Sequence, residues 1–578
     1  MRSYFGRKTS VAGFVVLLAV TVNYYRNKKT LSPILEISTG KLQGVVSFTR
    51  AGKEIHDYMK IPFSKPPVGT DLRFEPPQPA ESWVGVRDAT ETGPQCLQVN
   101  MITGGIEGSE DCLFLNVYTP KERKGLLPVM VWIHGGAFVF GTANRYRPAY
   151  LLDEDVILVT TNYRLAGLGF LNTGDGLIRG NMGLKDQNMA LKWVQENIKY
   201  FGGDPTQVTL FGESAGSASV GFHTVSPLSK GLFSRAIMQS GSPLGNWAIN
   251  REPAKQAKRF AAKFNCSVTD PEEMVACLKA VDGHTFVKAH QEMLLPLRDK
   301  ITLFVPTIET VHDKNTFLPE EPLESLLSGR VNKVPLIVGV NKEEGLLSSS
   351  IITANKTKLK QANDEWNFFA AKILGYDLDK TDISDKIRHY YFGDVEDIGT
   401  IDLIANYTNL FSDRQFFVPV HKFVKYYTKQ APVRMYLYSY QAEFSLADML
   451  AATQNERLPA IVSVILELLK RWVYKTVFRH ELPHLGVCHA DELQLIFNWP
   501  LSAFISENHK DFEMSRKMVK LWTDFVKNSD SISINDVVWP NLKVKDAQPL
   551  QYLDIDKVSK MIIEPFTDRI DFWDKLGL

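Results

Sequence analysis

Short apolar runs closed by glycine or polar residues recur along the chain. They include "VMVWIHGG" (129–136), "VILVTTNYR" (156–164), the start of "VTLFGESAG" (208–216), "RAIMQSGS" (235–242), "VPLIVGV" (334–340) and "VRMYLYSYQ" (433–441). Between them lie stretches of helical period. "NMALKWVQENIKYF" (188–201) puts Ala190, Leu191, Val194 and Ile198 on one face. Uninterrupted apolar strands alternating with helices predict an α/β fold, with a large, mostly parallel central sheet covered by helices on both faces. Sites in such sheets lie beyond the C-terminal strand ends. No internal repeat, low-complexity tract or long linker follows residue 30, so residues 31–578 read as a single domain.

Two segments stand apart from this alternation. In "LPAIVSVILELLKRWVYKTVF" (458–478), Ile461, Val464, Ile465, Leu468, Leu469 and Trp472 share a helical stripe. The plain reading is a helix packed on the core. The sharper one is a lid or membrane-surface helix that admits lipophilic molecules. Near the N-terminus, "VAGFVVLLAVTV" (11–22) follows Arg2, Arg7 and Lys8 and precedes Arg26, Lys28 and Lys29. It is shorter than the roughly 20 residues that span a bilayer. Residues 1–30 therefore read either as a cleaved signal peptide or as an N-terminal signal anchor, the second implying membrane association through this segment.

Composition narrows the partners. Basic and acidic residues number 66 and 65, which gives no support for nucleic acid. Four of the five cysteines form two locally spaced pairs, Cys96 with Cys112 and Cys266 with Cys277 as neighbours, and Cys488 is left over. Such spacing suits an oxidising compartment. So do the sequons at Asn265, Asn355 and Asn406. A secretory route, secreted or membrane-anchored, is expected. No Cys/His spacing suggests a metal.

The chemistry centres on "LFGESAGS" (210–217), where Ser214 sits between Gly212 and Gly216. A strand, then G-x-S-x-G, then a helix is the nucleophile elbow of α/β-hydrolases, in which the turn exposes the serine oxygen. A serine hydroxyl needs a base to take its proton, and this fold supplies its partners in the order Ser, acid, His. "VPLIVGVNKEEGLL" offers Glu343 and Glu344 after a strand. "LGVCHADEL" offers His489, with His480 and His484 as competitors. A glycine-rich loop, "HGGAF" (134–138), follows an early strand and could supply backbone N–H groups to a developing oxyanion.

"FGGDPTQVTLFGESAG" (201–216) and "EDCLFLNVYTP" (110–120) resemble the two diagnostic segments of the type-B carboxylesterase/cholinesterase family, and the texture is most similar to arthropod carboxylesterases. The resemblance implies Ser214 as nucleophile, Glu344 as triad acid with Glu343 its non-catalytic neighbour, and His489 as general base. It implies Gly136, Ala137 and Ala215 as oxyanion-hole donors, although many relatives carry glycine where Ala137 stands. Trp247 matches an aromatic wall of the acyl pocket, with Phe138 beside it in the substrate pocket. Cys96–Cys112 and Cys266–Cys277 are implied as disulfides, with Cys488 a buried inert thiol. The implied activity is a serine carboxylesterase acting on small-molecule esters, broad or lipophilic, through an acyl-enzyme and with no cofactor. Cholinesterases place a tryptophan in the first disulfide loop; here 97–111 holds no aromatic residue, which excludes that cation–π site. The alternatives are a juvenile-hormone-type esterase, though those usually read G-Q-S-A-G, and a neuroligin-like or organophosphate-sequestering protein on the same fold. Neuroligin relatives lack part of the triad, whereas all three residue types are present here.

Overall fold

The computed structural model describes residues 29–101, 103–293, 302–499, 502–527, 531–542 and 549–578. The apolar run at 11–22 lies outside them. Thirteen of the described strands form one sheet. In chain order they are β1 (Leu31–Ile37), β2 (Gly40–Phe48), β3 (Glu54–Pro62), β4 (Val86–Asp88), β5 (Phe114–Pro120), β6 (Leu127–Ile133), β7 (Ile157–Thr161), β8 (Gly203–Glu213), β9 (Arg235–Gln239), β10 (Leu336–Asn341), β11 (Val433–Tyr438), β12 (Gln551–Ile555) and β13 (Lys560–Ile563).

The spatial order is β1-β2-β3-β5-β7-β6-β8-β9-β10-β11-β12-β13, with β4 beside β2. From β7 to β12 every neighbouring pair is parallel. Strands β7, β10 and β11 are buried along their whole length, as expected where helices cover both faces. The sequence reading anticipated this parallel block. It did not anticipate the antiparallel flank β1-β2-β3-β5 or the closing hairpin β12-β13. Strand β2 mixes buried and half-exposed positions, so its apolar signal is weak.

Chain order reverses around β6, which lies between β7 and β8. Residues at the C-terminal ends of β6 and β8 therefore share a crevice. The helix Met182–Asn197 is fixed below by a buried ion pair. Asp186 accepts from Arg164 N, Nε and Nη2 at 3.0, 2.8 and 2.7 Å.

The stripe at 458–478 does form a helix, Ala460–Thr476, but it does not pack on the core. Of the six apolar residues in the stripe only Val464 is buried. The inward side carries Ser463, Glu467 and Arg471 instead, and the two charged groups are ion-paired 3.0 Å apart.

Replacing Asp186 by alanine would leave the Arg164 guanidinium buried without a counter-charge. The expected cost is about 3–5 kcal/mol, read as a lowered midpoint in urea unfolding.

Candidate active site

At the end of β8 the chain turns so sharply that Ser214 takes φ 58° and ψ −121°, a region that side chains rarely enter. A Cβ on Gly216 would stand 2.1 Å from the Ile133 carbonyl oxygen, and one on Gly212 would stand 2.6 Å from the Gly216 carbonyl carbon. Small residues on both sides of Ser214 are thus required by the approach of β6 to the turn. Ser214 N donates to Gln239 O in β9, and Ser214 O accepts from Ala218 N in the helix Ala215–Val225. These bonds hold the strained residue in place.

The loop after β6 lies against this turn: a Cβ on Gly135 would come 3.0 Å from the Cβ of Ser214. Ala137 and Phe138 have φ of 55° and 63°. For alanine the left-handed region costs about 1 kcal/mol, so the methyl is accommodated with strain. Val139 N and Phe140 N donate to Gly136 O, and Ala166 N donates to Phe138 O. Among the described residues, no acceptor takes the N–H of Gly136, Ala137 or Ala215.

Glu344 follows β10 and is fully buried. Its Oε1 accepts from Asn341 N at 2.7 Å, and its Oε2 lies 2.6 Å from His489 Nδ1. Glu343 faces elsewhere: its Oε2 accepts from Val487 N at 2.8 Å, bracing the loop that carries His489. His480 is exposed, and His484 Nδ1 lies 2.5 Å from Asp448 Oδ2. Of the three histidines considered, His489 is the one that meets Glu344.

The expected hydrogen bond from Ser214 Oγ to His489 Nε2 is not made. Nε2 instead lies 2.9 Å from Glu213 Oε1, in a geometry that forms no hydrogen bond. Glu213, the residue before the serine in the motif, was absent from the expected site, although its place beside Ser214 could have flagged it. Serine–base contacts are often loose before a ligand arrives and tighten in the complex.

The site is electrostatically crowded. Burial alone would lower the His489 pKa, but the carboxylates of Glu213 and Glu344 outweigh it and hold the imidazole well above its ordinary value. Burial raises Glu213 against the pull of His489. Burial, then the charge of Glu213, pushes Glu492 up to about 7. Donation from Asn341 Nδ2 at 2.7 Å and Gln239 Nε2 at 2.9 Å only partly offsets this. Cys488 is buried, and burial raises its thiol well above the ordinary value, so it is held as an unreactive thiol.

Aromatic rings run from the loop to the imidazole. Phe138 is buried, 5.1 Å from Phe170 and 6.4 Å from Trp247 between ring centroids. Trp247 donates Nε1–H to Gln415 O at 2.9 Å and lies 6.1 Å from Phe416, which is 4.6 Å from the His489 ring. Phe416 was not foreseen. It sits in a π-helical turn, Asp413–Phe417, whose period leaves no readable sequence signal.

Disulfides join Cys96 to Cys112 and Cys266 to Cys277. Asn265 is exposed, whereas the amides of Asn355 and Asn406 donate to Glu456 Oε1 and Tyr391 O. Glu443, His509 and Asp511 converge elsewhere, but Lys475 neutralises Glu443 and Tyr440 donates to Asp511.

A parallel block with a strained serine turn at its switch point defines an α/β-hydrolase. The model of the carboxylesterase family matches residues 31–573, and the chain belongs to that family of carboxylic ester hydrolases. It is 34% identical to a carboxylic ester hydrolase of Bombus ignitus, covering 97% of each chain. It is 34% identical to venom carboxylesterase-6 of Apis mellifera, covering 92% of each. A solved juvenile hormone esterase of Manduca sexta, with OTFP covalently attached, superposes with a TM-score of 0.77 at 27% identity, covering 95% of this chain and 100% of that one.

The pKa of about 7 at Glu492 sets a sign. The folded protein keeps a proton that the unfolded chain releases near pH 4.5, so the stability this proton confers is lost as pH rises through about 7. Glu492→Gln is expected to have a melting temperature that falls less between pH 5 and 8 than that of the wild type. Parallel melting curves would contradict the assignment.

Proposed function

We propose that the chain hydrolyses carboxylic esters through Ser214, His489 and Glu344 by way of an acyl-enzyme. The observation that carries this reading is the 2.6 Å contact between buried Glu344 and His489 Nδ1, beside a serine held at φ 58°. Glu344 orients the ring and balances its charge. The ring acts once it is neutral at Nε2. It then takes the Ser214 proton as Oγ attacks the ester carbonyl, and the carbonyl oxygen becomes negative among the N–H groups of Gly136, Ala137 and Ala215. His489 returns the proton to the leaving alcohol. Water repeats the sequence on the acyl-serine and releases the acid.

The left-handed φ of Ala137 and the sharp turn at Ser214 support this reading, because N–H groups fixed by the backbone need no movement at the moment of reaction. Phe138, Trp247 and Phe416 form a packed aromatic row beside His489, of which Trp247 is the part-exposed member, and apolar surroundings of this kind favour lipophilic acyl groups. The two disulfides suit an oxidising, secretory compartment.

Ser214→Ala is expected to lower kcat on a short aryl ester by about 10⁵–10⁶-fold, with the fold intact by circular dichroism. Retained turnover would remove the nucleophile from this account. Glu213 supplies part of the charge that keeps His489 protonated. Glu213→Gln should therefore release that proton more readily and move the acid limb of the kcat/KM profile to lower pH. An unmoved limb would show that Glu213 does not set the basicity of the ring.

A further inference from the structure

The helix Ala460–Thr476 faces the wrong way for a surface helix of a soluble protein. At 100° per residue, Ile461, Val462, Ile465, Leu468, Leu469 and Trp472 fall on one half of its circumference. All six are exposed, Ile465 by 55%, Leu469 by 51% and Trp472 by 59%. The apolar surface continues through exposed Val477 and Phe478 beyond the helix end.

The polar side turns inward and is bonded to the body. Arg471 Nη2 lies 3.0 Å from Asp448 Oδ2, and Nη1 donates to Leu482 O at 3.3 Å. Lys475 Nζ lies 2.5 Å from Glu443 Oε1. Rolling the helix to bury its apolar half would break these pairs and leave Asp448, whose side chain is 4% exposed, with only His484 and the Leu485 N–H, so the present orientation is held by the ion pairs. A contiguous apolar face of this kind on an otherwise ordinary surface marks an interaction site.

The rim charges select the occupant. Between residues 456 and 481 the exposed charges are Arg457, Lys470, Lys475 and Arg479 against Glu456 and Glu481; Lys470 is paired with Glu467, Lys475 with Glu443 and Glu481 with Lys510, which leaves Arg457 and Arg479, among the described residues, as the basic groups without an ion pair. Two copies meeting through this face would bring like-charged rims together. An anionic surface would complement them, at about 1 kcal/mol for each basic residue close to it. Seventeen residues make a helix of roughly 25 Å, and no described helix is long and apolar enough to cross a membrane. Trp472 and Tyr474 are of the type that settles at headgroup level.

We propose that this helix seats the molecule on a phospholipid surface bearing negative headgroups, lying in the plane with its apolar half at the acyl boundary. The docking stands independently of the ester chemistry. Residues 477–488 run from the helix directly to His489, so under the proposed function the docked face is linked to the segment that bears the base.

The test uses the full chain with Leu469→Cys carrying an environment-sensitive fluorophore. Vesicles of phosphatidylcholine with and without phosphatidylserine carry nitroxides on their acyl chains. The expected result is a blue shift and a loss of emission on phosphatidylserine vesicles, much weaker on phosphatidylcholine alone. Adding Ile465→Glu and Trp472→Glu should abolish both signals at an unchanged melting temperature. A label that stays in water while the protein sediments with vesicles would overturn the proposal, since attachment would then run through another segment. Equal quenching on both vesicle types would overturn the role of the basic rim. Protection that grows with protein concentration in the absence of vesicles would replace the bilayer with a second copy.

Discussion

Two buried carboxylates flank one imidazole and a third, Glu492, is coupled to both of them, and the rest of the site is built to tolerate the three. Glu213, Glu344 and Glu492 are each at most 4% exposed. All three ionised around a single positive charge would leave a large, unscreened excess of negative charge. The arrangement resolves this unevenly. Glu344 takes the close contact with Nδ1 and a backbone N–H. Glu492 is served by two side-chain amides, one of them fixed by the Trp522 indole, and still holds its proton up to about pH 7. Glu213 is left facing Nε2. The histidine is therefore made basic from both sides, and under the proposed function the carboxylate that raises it stands at the nitrogen that Ser214 would use.

Backbone packing, rather than side-chain chemistry, delivers Ser214 to this cluster. The strain at φ 58° is affordable because β6, β9 and the helix Ala215–Val225 each hold one part of the turn. The parallel block serves the same end. It puts the C-terminal ends of β6, β8 and β10 side by side, so that a loop of N–H groups, a hydroxyl and a carboxylate arrive from three separate strands without any one loop having to be long.

Much of this was legible in the sequence because its signals are local. The spacing of Gly212, Ser214 and Gly216 reports a turn that only small residues permit. The runs that became β6 to β11 are mostly apolar, with few polar residues inside them, such as Thr209 and Arg434. What escaped depends on tertiary context. The antiparallel strands β1 to β3 pack partly at a sheet edge, where alternation is blurred. Phe416 reaches His489 through an irregular helical turn. The stripe at 461–472 gave the right helix, but its plain reading as a core-packed face was wrong, since five of its six apolar residues are exposed. Period reveals which residues share a face but not which way that face points, and ion pairs to Asp448 and Glu443 decided it. The position of Nε2 beside Glu213 rather than Ser214 is likewise a matter of ångströms that no spacing rule encodes.

The three side chains at the centre come from widely separated parts of the polypeptide: Glu344 and His489 are 145 positions apart along the chain. Contacts of such long range form late in folding, because closing each large loop costs entropy before any pairing repays it. During synthesis the first half of the sheet can be in place, serine turn included, while the base has yet to leave the ribosome. Under the proposed function, a nascent or prematurely terminated polypeptide would carry an inert hydroxyl, with reactivity arriving only in the closing stages of translation.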